Sequence, residues 1–161
     1  MQPLTGAMML MGGVPNHEAL GTFGYRFDAR GGIRGLREAA AANGFSSIEF
    51  QQPLMNIGIR HALMKDVPNL AVISPASGFE GYASSAGRIV EYNVGVGQGV
   101  GIAAAMAMAS GKNLADMTNA EVRQVLAATG QLPKIYGQTH MADAQALAAF
   151  EQKLGTGIMI A

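Results

Sequence analysis

A chain of 161 residues can bury the core of one domain, and 49% hydrophobic against 14% charged residues excludes an intrinsically disordered segment. Eleven basic and eleven acidic residues cancel to a net charge of 0, so nothing in the balance attracts nucleic acid or an anionic membrane surface. The absence of cysteine excludes disulfides, thiolate nucleophiles and cysteine-ligated metals.

The low charge leaves two readings. Either part of the apolar surface is meant for another domain or subunit, or a small Ala/Gly-rich domain buries a large core. The start of the chain has no basic segment leading into a continuous apolar stretch, so the expectation is a cytoplasmic protein without a signal peptide. The longest apolar run, residues 94–109, is interrupted by Gln98 and is shorter than the roughly 20 residues of a membrane span.

In chain order, residues 7–14 form an apolar run ending in Gly12, Gly13 and Pro15, which predicts a strand and a turn. A second strand is expected over 21–27. Ile33, Leu36 and Ala40 recur at helical spacing over 32–42, with Gly44 as the stop, and 46–51 reads as a returning strand. Residues 69–74, between a Pro-Asn turn and a Ser/Pro/Gly loop, read as a buried strand. A loop of small residues is expected over 75–87, and then an alanine-rich helix that begins between Ile89 and Gly97 and runs to Gly111. Thr118 and Glu121 form a capping box for a helix that Gly130 ends. A last helix is expected over about 142–154, so that residues 1–137 form the main body and 138–161 a helical tail, with the division at 137–140.

Several chemistries find no carrier. His17, His61 and His140 have no ligand spacing between them, and no metal site is expected. There is no Gly-x-Ser-x-Gly elbow, Gly111-Lys112 lacks the upstream glycine of a phosphate loop, and no acid/base pair of carboxylates stands out. The glycines at 95, 97, 99 and 101 fall at every second position and do not form G-x-G-x-x-G. Glycines entering an alanine-rich helix permit close packing on a neighbouring element. Alternatively, they admit a flat cofactor whose charge meets unpaired first-turn N–H groups. The pattern by itself favours close packing.

The order of these segments resembles the C-terminal part of the bacterial FAD-dependent oxidoreductase family. Arg88-Ile89-Val90 followed by Gly97-Gln98-Gly99-Val100-Gly101-Ile102-Ala103-Ala104-Ala105 is similar to its R-V-M…G-Q-A-A-G-T-A-A-A stretch. Val67-Pro68-Asn69-Leu70-Ala71-Val72 resembles V-D-N-L-L-V, and Ile57-Gly58-Ile59-Arg60 resembles I-P-Y-R. The opening residues 2–14 and the 111–130 helix fit the same order, so the resemblance covers about residues 2–133.

The resemblance implies a mixed α+β (α/β) fold: part of a substrate domain, plus the returning strand and Gly/Ala helix of a Rossmann-type flavoenzyme. It implies FAD as cofactor, with Gly97, Gln98, Gly99 and Ser74 against it, and a small-molecule substrate oriented by Arg60 and Arg88. Both arginines have an equal alternative as structural ion pairs. No catalytic residue is identified. The implied partner is an N-terminal dinucleotide-binding domain or subunit, without which activity is not expected.

Where the family strand ends in Gly-Arg or Gly-Asp, this chain has Ser74-Pro75, and Gly58-Ile59 replaces Pro-Tyr. Those departures support an alternative function: a cofactor-free binding or assembly module derived from the fold, self-associating as a homo-oligomer.

Overall fold

The computed structural model describes residues 2–28, 35–64, 66–136 and 144–154. The fold is mixed α/β, with two small two-stranded sheets and six helices among the described residues. The first residues of the helix expected over 32–42 and the division expected at 137–140 lie outside the described residues.

Strand β1 (Leu4–Thr5) leads directly into helix α1 (Gly6–Leu10). Thr5 makes the switch, because its hydroxyl accepts the Met8 N–H at 3.1 Å. The strand expected over 7–14 is therefore a helix as far as Leu10. The remaining first-turn donors are taken from far away: the Glu151 carboxylate accepts from Gly6 N and Ala7 N, each at 3.0 Å. The turn that follows is as expected, with Gly12 at φ +96° and Gly13 at φ +73°.

Strand β2 (Gly21–Gly24) pairs antiparallel with β3 (Leu54–Ile57), in the register Gly21 to Ile57 and Gly24 to Leu54. Helix α2 (Leu36–Ala42) lies between them in sequence, and its end is marked by Gly44 at φ +87°. Residues 46–51 do not return as a strand. They hold a 3₁₀ turn, Ile48–Phe50, which buries Ile48 and leaves Phe50 77% exposed. A stretch with one buried side chain has no second inward position to define a strand face.

The segment 69–74 also departs from expectation. It contributes one isolated bridge, Ala71 to Leu63, while Leu70 and Ile73 remain exposed. Among the described residues no sheet neighbour covers it. Within the supposed loop 75–87, Phe79–Glu80 form β4, parallel to β1, followed by a 3₁₀ turn and the short helix α3 (Ser84–Gly87). Hydrogen bonds from Gly78 N to His61 O and from Leu4 N to Gly78 O dock this stretch on the sheet.

Helix α4 (Val90–Ser110) is the longest element, and Gly111 ends it at φ +67°. Its inner face buries Tyr92, Val96, Gly99, Val100, Ala103 and Ala107. Helix α5 (Asn119–Ala128) begins with the anticipated capping box between Thr118 and Glu121, and it buries Val122 and Leu126 on the same core.

Helix α6 (Ala144–Leu154) lies where the tail helix is expected, yet it is no appendage. Ala144, Leu147 and Phe150 join the common hydrophobic core, and Glu151 anchors α1.

The glycines of α4 separate by environment. A Cβ on Gly99 would stand 2.8 Å from Ile59 Cγ2 and from Leu20 Cδ1, whereas nothing lies within 4 Å of the corresponding position at Gly101. Gly101→Ala should therefore stabilise the chain by about 0.5–1 kcal/mol, the ordinary helical gain over glycine. Gly99→Ala should instead lose about 1–3 kcal/mol to overpacking. Urea denaturation of the two variants measures both, and two gains of equal size would refute the packing difference.

Candidate functional site

Two features stand out on this scaffold: a cavity beside Arg60 and the outer face of α4. The cavity has a volume of about 450 Å³ and lies between the N-terminal segment, the residues after β3 and the start of α5. That size is within the ordinary range for small-molecule pockets. Leu4, Met8 and Val14 supply apolar wall, while Arg60, His61, Glu18 and Asn119 supply polar groups.

Close backbone approach shapes it. A Cβ on Gly58 would fall 2.8–2.9 Å from Asn119 and Val14. The loss of Cβ at that position lets the chain leaving β3 lie directly on the first residue of α5. Asn119 is 3% exposed and ties the two together, its Oδ1 accepting the Ile59 N–H at 2.9 Å. Its amide nitrogen reaches Glu18 Oε2 at 3.4 Å.

Arg60 is half-buried at the cavity wall. One guanidinium nitrogen donates to Ala115 O at 3.0 Å and Met117 O at 3.3 Å. Among the described residues, no carboxylate pairs with it. The guanidinium is permanently charged, so the cavity holds a fixed cation whose remaining N–H donors no carboxylate among the described residues engages.

His61 is 5% exposed and also faces the cavity, with its Nε2 3.3 Å from the Tyr92 hydroxyl. Burial lowers its pKa from 6.5 to about 4, so the imidazole is neutral at physiological pH. Burial also pushes the Tyr92 phenol well above its ordinary value, keeping it protonated. Phe79 and Tyr92 enclose the imidazole, with ring centroids 4.9 and 5.6 Å away.

Arg88, the second expected substrate residue, lies elsewhere. It is ion-paired with Asp28, donates to the Tyr25 hydroxyl at 3.1 Å and sits 5.5 Å from the Tyr25 ring centroid. Arg60 and Arg88 therefore do not converge. The structural alternative describes Arg88, while Arg60 is the arginine that faces open space.

The four residues expected against a cofactor divide similarly. Gly97 is half-buried, with its missing Cβ 3.9 Å from Ile73 Cδ1, which brings it beside the segment that carries Ser74. Gln98 is exposed and donates to Gln131 Oε1 at 3.2 Å. Gly99 faces inward against Ile59 and Leu20, turned away from that surface. Ser74 accepts the Ala76 N–H at 3.0 Å through its hydroxyl, closing its own turn. Because α4 begins at Val90, the N–H groups of residues 97–99 fall within the helix rather than in its first turn.

Comparison with protein-family models, curated proteins and solved structures gives no match.

The outer face of α4 is the second feature. Val90, Val94, Gly97, Gly101 and Met108 recur at helical spacing on one side, and Val90, Val94 and Met108 are 71%, 65% and 85% exposed. Beside them lies Ile73, followed back along the chain by Leu70 and Val67, all exposed. Among the described residues, six of the ten exposed large hydrophobics lie on these two segments, 67–73 and α4, which meet at Ile73 and Gly97.

Residue-type reasoning missed His61, Asn119, Glu18 and Glu151. The signal nearest to hand was the position of His61 beside Arg60. Nothing local marked Asn119 or Glu151, whose partners are 60 and up to 145 residues away.

Proposed function

We propose that this chain is part of an FAD-dependent oxidoreductase, forming one wall of a flavin and substrate site and acting together with an N-terminal dinucleotide-binding domain. The observation that carries the reading is where the apolar surface is left open. The segments that resemble the family's returning strand and Gly/Ala helix are the segments whose hydrophobic side chains stay exposed, at 67–73 and along α4. A helix that is apolar on its outer face as well as its inner one is expected to be covered by protein.

In this reading the partner domain covers Val90, Val94, Gly101 and Met108. Gly97, with no side chain, lies beside the segment that carries Ser74, and Gly97 and the neighbouring exposed Gln98 are the residues that would hold the flavin. FAD would supply the electron transfer when bound. The chain's own contribution is shape and charge: the gap left by Gly97 and Gly101 between the exposed Val94 and Met108, and Arg60 to orient a small-molecule substrate. Gly99 takes a packing role here, and Arg88 a structural one. The alternative, a cofactor-free assembly module, draws on the closed Ser74 turn and on the engagement of the 97–99 amides within the helix.

Mixing the chain with a candidate N-terminal dinucleotide-binding domain, in the presence of FAD, separates the two. The expected result is a yellow complex on gel filtration that Val94→Lys combined with Met108→Lys abolishes without lowering the melting temperature of the isolated chain. A colourless mixture with no complex, together with concentration-dependent self-association of the chain, would establish the assembly module instead.

A further inference from the structure

We infer that the cavity beside Arg60 binds a small monocarboxylate with an apolar body, its acid group on the Arg60 guanidinium and its body against Leu4, Met8 and Val14. The inference rests on the flavin reading only in regarding that ligand as the substrate; the binding itself needs no flavin.

Four observations define the ligand. A cation that faces a cavity of about 450 Å³ without a carboxylate partner among the described residues is an open anion position. A guanidinium offers a planar fork that matches a carboxylate, and such charge-assisted bonds are about twice as strong as neutral ones. The first residues of α5 add to the same end of the cavity. Asn119 and Ala120 line it, and a helix start carries partial positive charge.

Glu18 sets the upper limit on charge. It lines the same cavity and is held by Asn119, so a second negative charge on the ligand would meet a carboxylate. That favours one acid group over two. His61 lines the cavity as a neutral ring and adds no charge to the wall. Of the remaining wall only Gln2 and Thr118 are polar, and the stretch formed by Pro3, Leu4, Met8 and Val14 suits an aryl or alkyl body.

Titrating the ¹⁵N-labelled chain with sodium phenylacetate, and separately with phenylacetamide, tests the assignment by NMR. The expected result is saturable shifts of the Gly58, Asn119 and Ala120 amides with the acid, and affinity at least about tenfold weaker for the amide, which lacks the charge. Arg60→Lys should retain part of the acid preference and Arg60→Gln should remove it, with thermal melts confirming that each variant is folded. Equal binding of acid and amide, or no saturable shift at these residues with phenylacetate, would overturn the proposal. A failed flavin complementation alongside intact phenylacetate binding would remove the flavin reading and leave the cavity assignment standing.

Discussion

Replacing Glu151 with alanine is expected to destabilise the chain by about 3 kcal/mol, through loss of three buried charge-assisted hydrogen bonds offset in part by release of a buried charge. Its carboxylate accepts from Gly6 N and Ala7 N at 3.0 Å and from Tyr82 N at 3.1 Å. Burial raises the pKa of Glu151, and the bonds from Ala7, Tyr82 and Gly6 oppose that shift. Truncation would leave those buried donors without their acceptor. A Cβ on Gly6 would already stand 2.5 Å from the Glu151 carboxylate.

Urea unfolding gives two readouts for this variant. A lower midpoint with an unchanged slope means that α6 stays docked and only the bonds are lost. A smaller slope means that α6 has come off the core and less surface is buried in the folded state. Glu151→Gln, which keeps the shape and one acceptor, should fall between wild type and alanine. A loss below about 0.5 kcal/mol for Glu151→Ala, the range of ordinary surface substitutions, would show that the carboxylate does not hold α6 to α1.

The second large effect is acid sensitivity. His61 has a folded-state pKa of about 4 against 6.5 when exposed, because burial disfavours the imidazolium. Between those values the unfolded chain binds a proton that the folded chain refuses. Stability from this group is therefore full above pH 6.5 and falls as the pH drops towards 4. The loss is about 2 kcal/mol at pH 5 and approaches about 3 kcal/mol below pH 4. Urea midpoints measured from pH 7.5 to 4.5 should show this slope in the wild type and lack it in His61→Gln, whatever the absolute stability of that variant. Parallel curves for the two proteins would show that His61 does not titrate differently on folding.

Helices α4, α5 and α6 were legible because their signals are local. Thr118 and Glu121 satisfy each other's backbone groups within three residues, and Gly111 and Gly130 stop their helices at positive φ. The short apolar runs were not legible. Residues 7–14 and 69–74 each read as a strand, since a short apolar run carries no period long enough to separate strand from helix or turn, and 46–51 has only Ile48 and Phe50 to suggest alternation. Thr5 and Glu151 decided the first, the burial of Ile48 alone decided the second, and the lack of a covering neighbour decided the third.

The candidate site shows the same split. The resemblance singled out Arg60 and Arg88 equally, since each matches an arginine of the family that the segments resemble. Asp28, 60 residues from Arg88, neutralises one, while among the described residues the other meets backbone carbonyls and open space and no carboxylate. The glycines of α4 were equally alike in sequence, and the structure turns Gly99 onto Ile59 and Leu20 while leaving Gly101 bare.

The sequence by itself determined a mixed α/β chain with little charge, no cysteine, and long helices bounded by their own caps, because those properties depend on composition and on residues a few positions apart. Only the tertiary structure decided which arginine is free to meet a ligand, which glycine packs and which face of α4 stays open. Each of those depends on what lies opposite, and that is set by contacts tens of residues away in the chain.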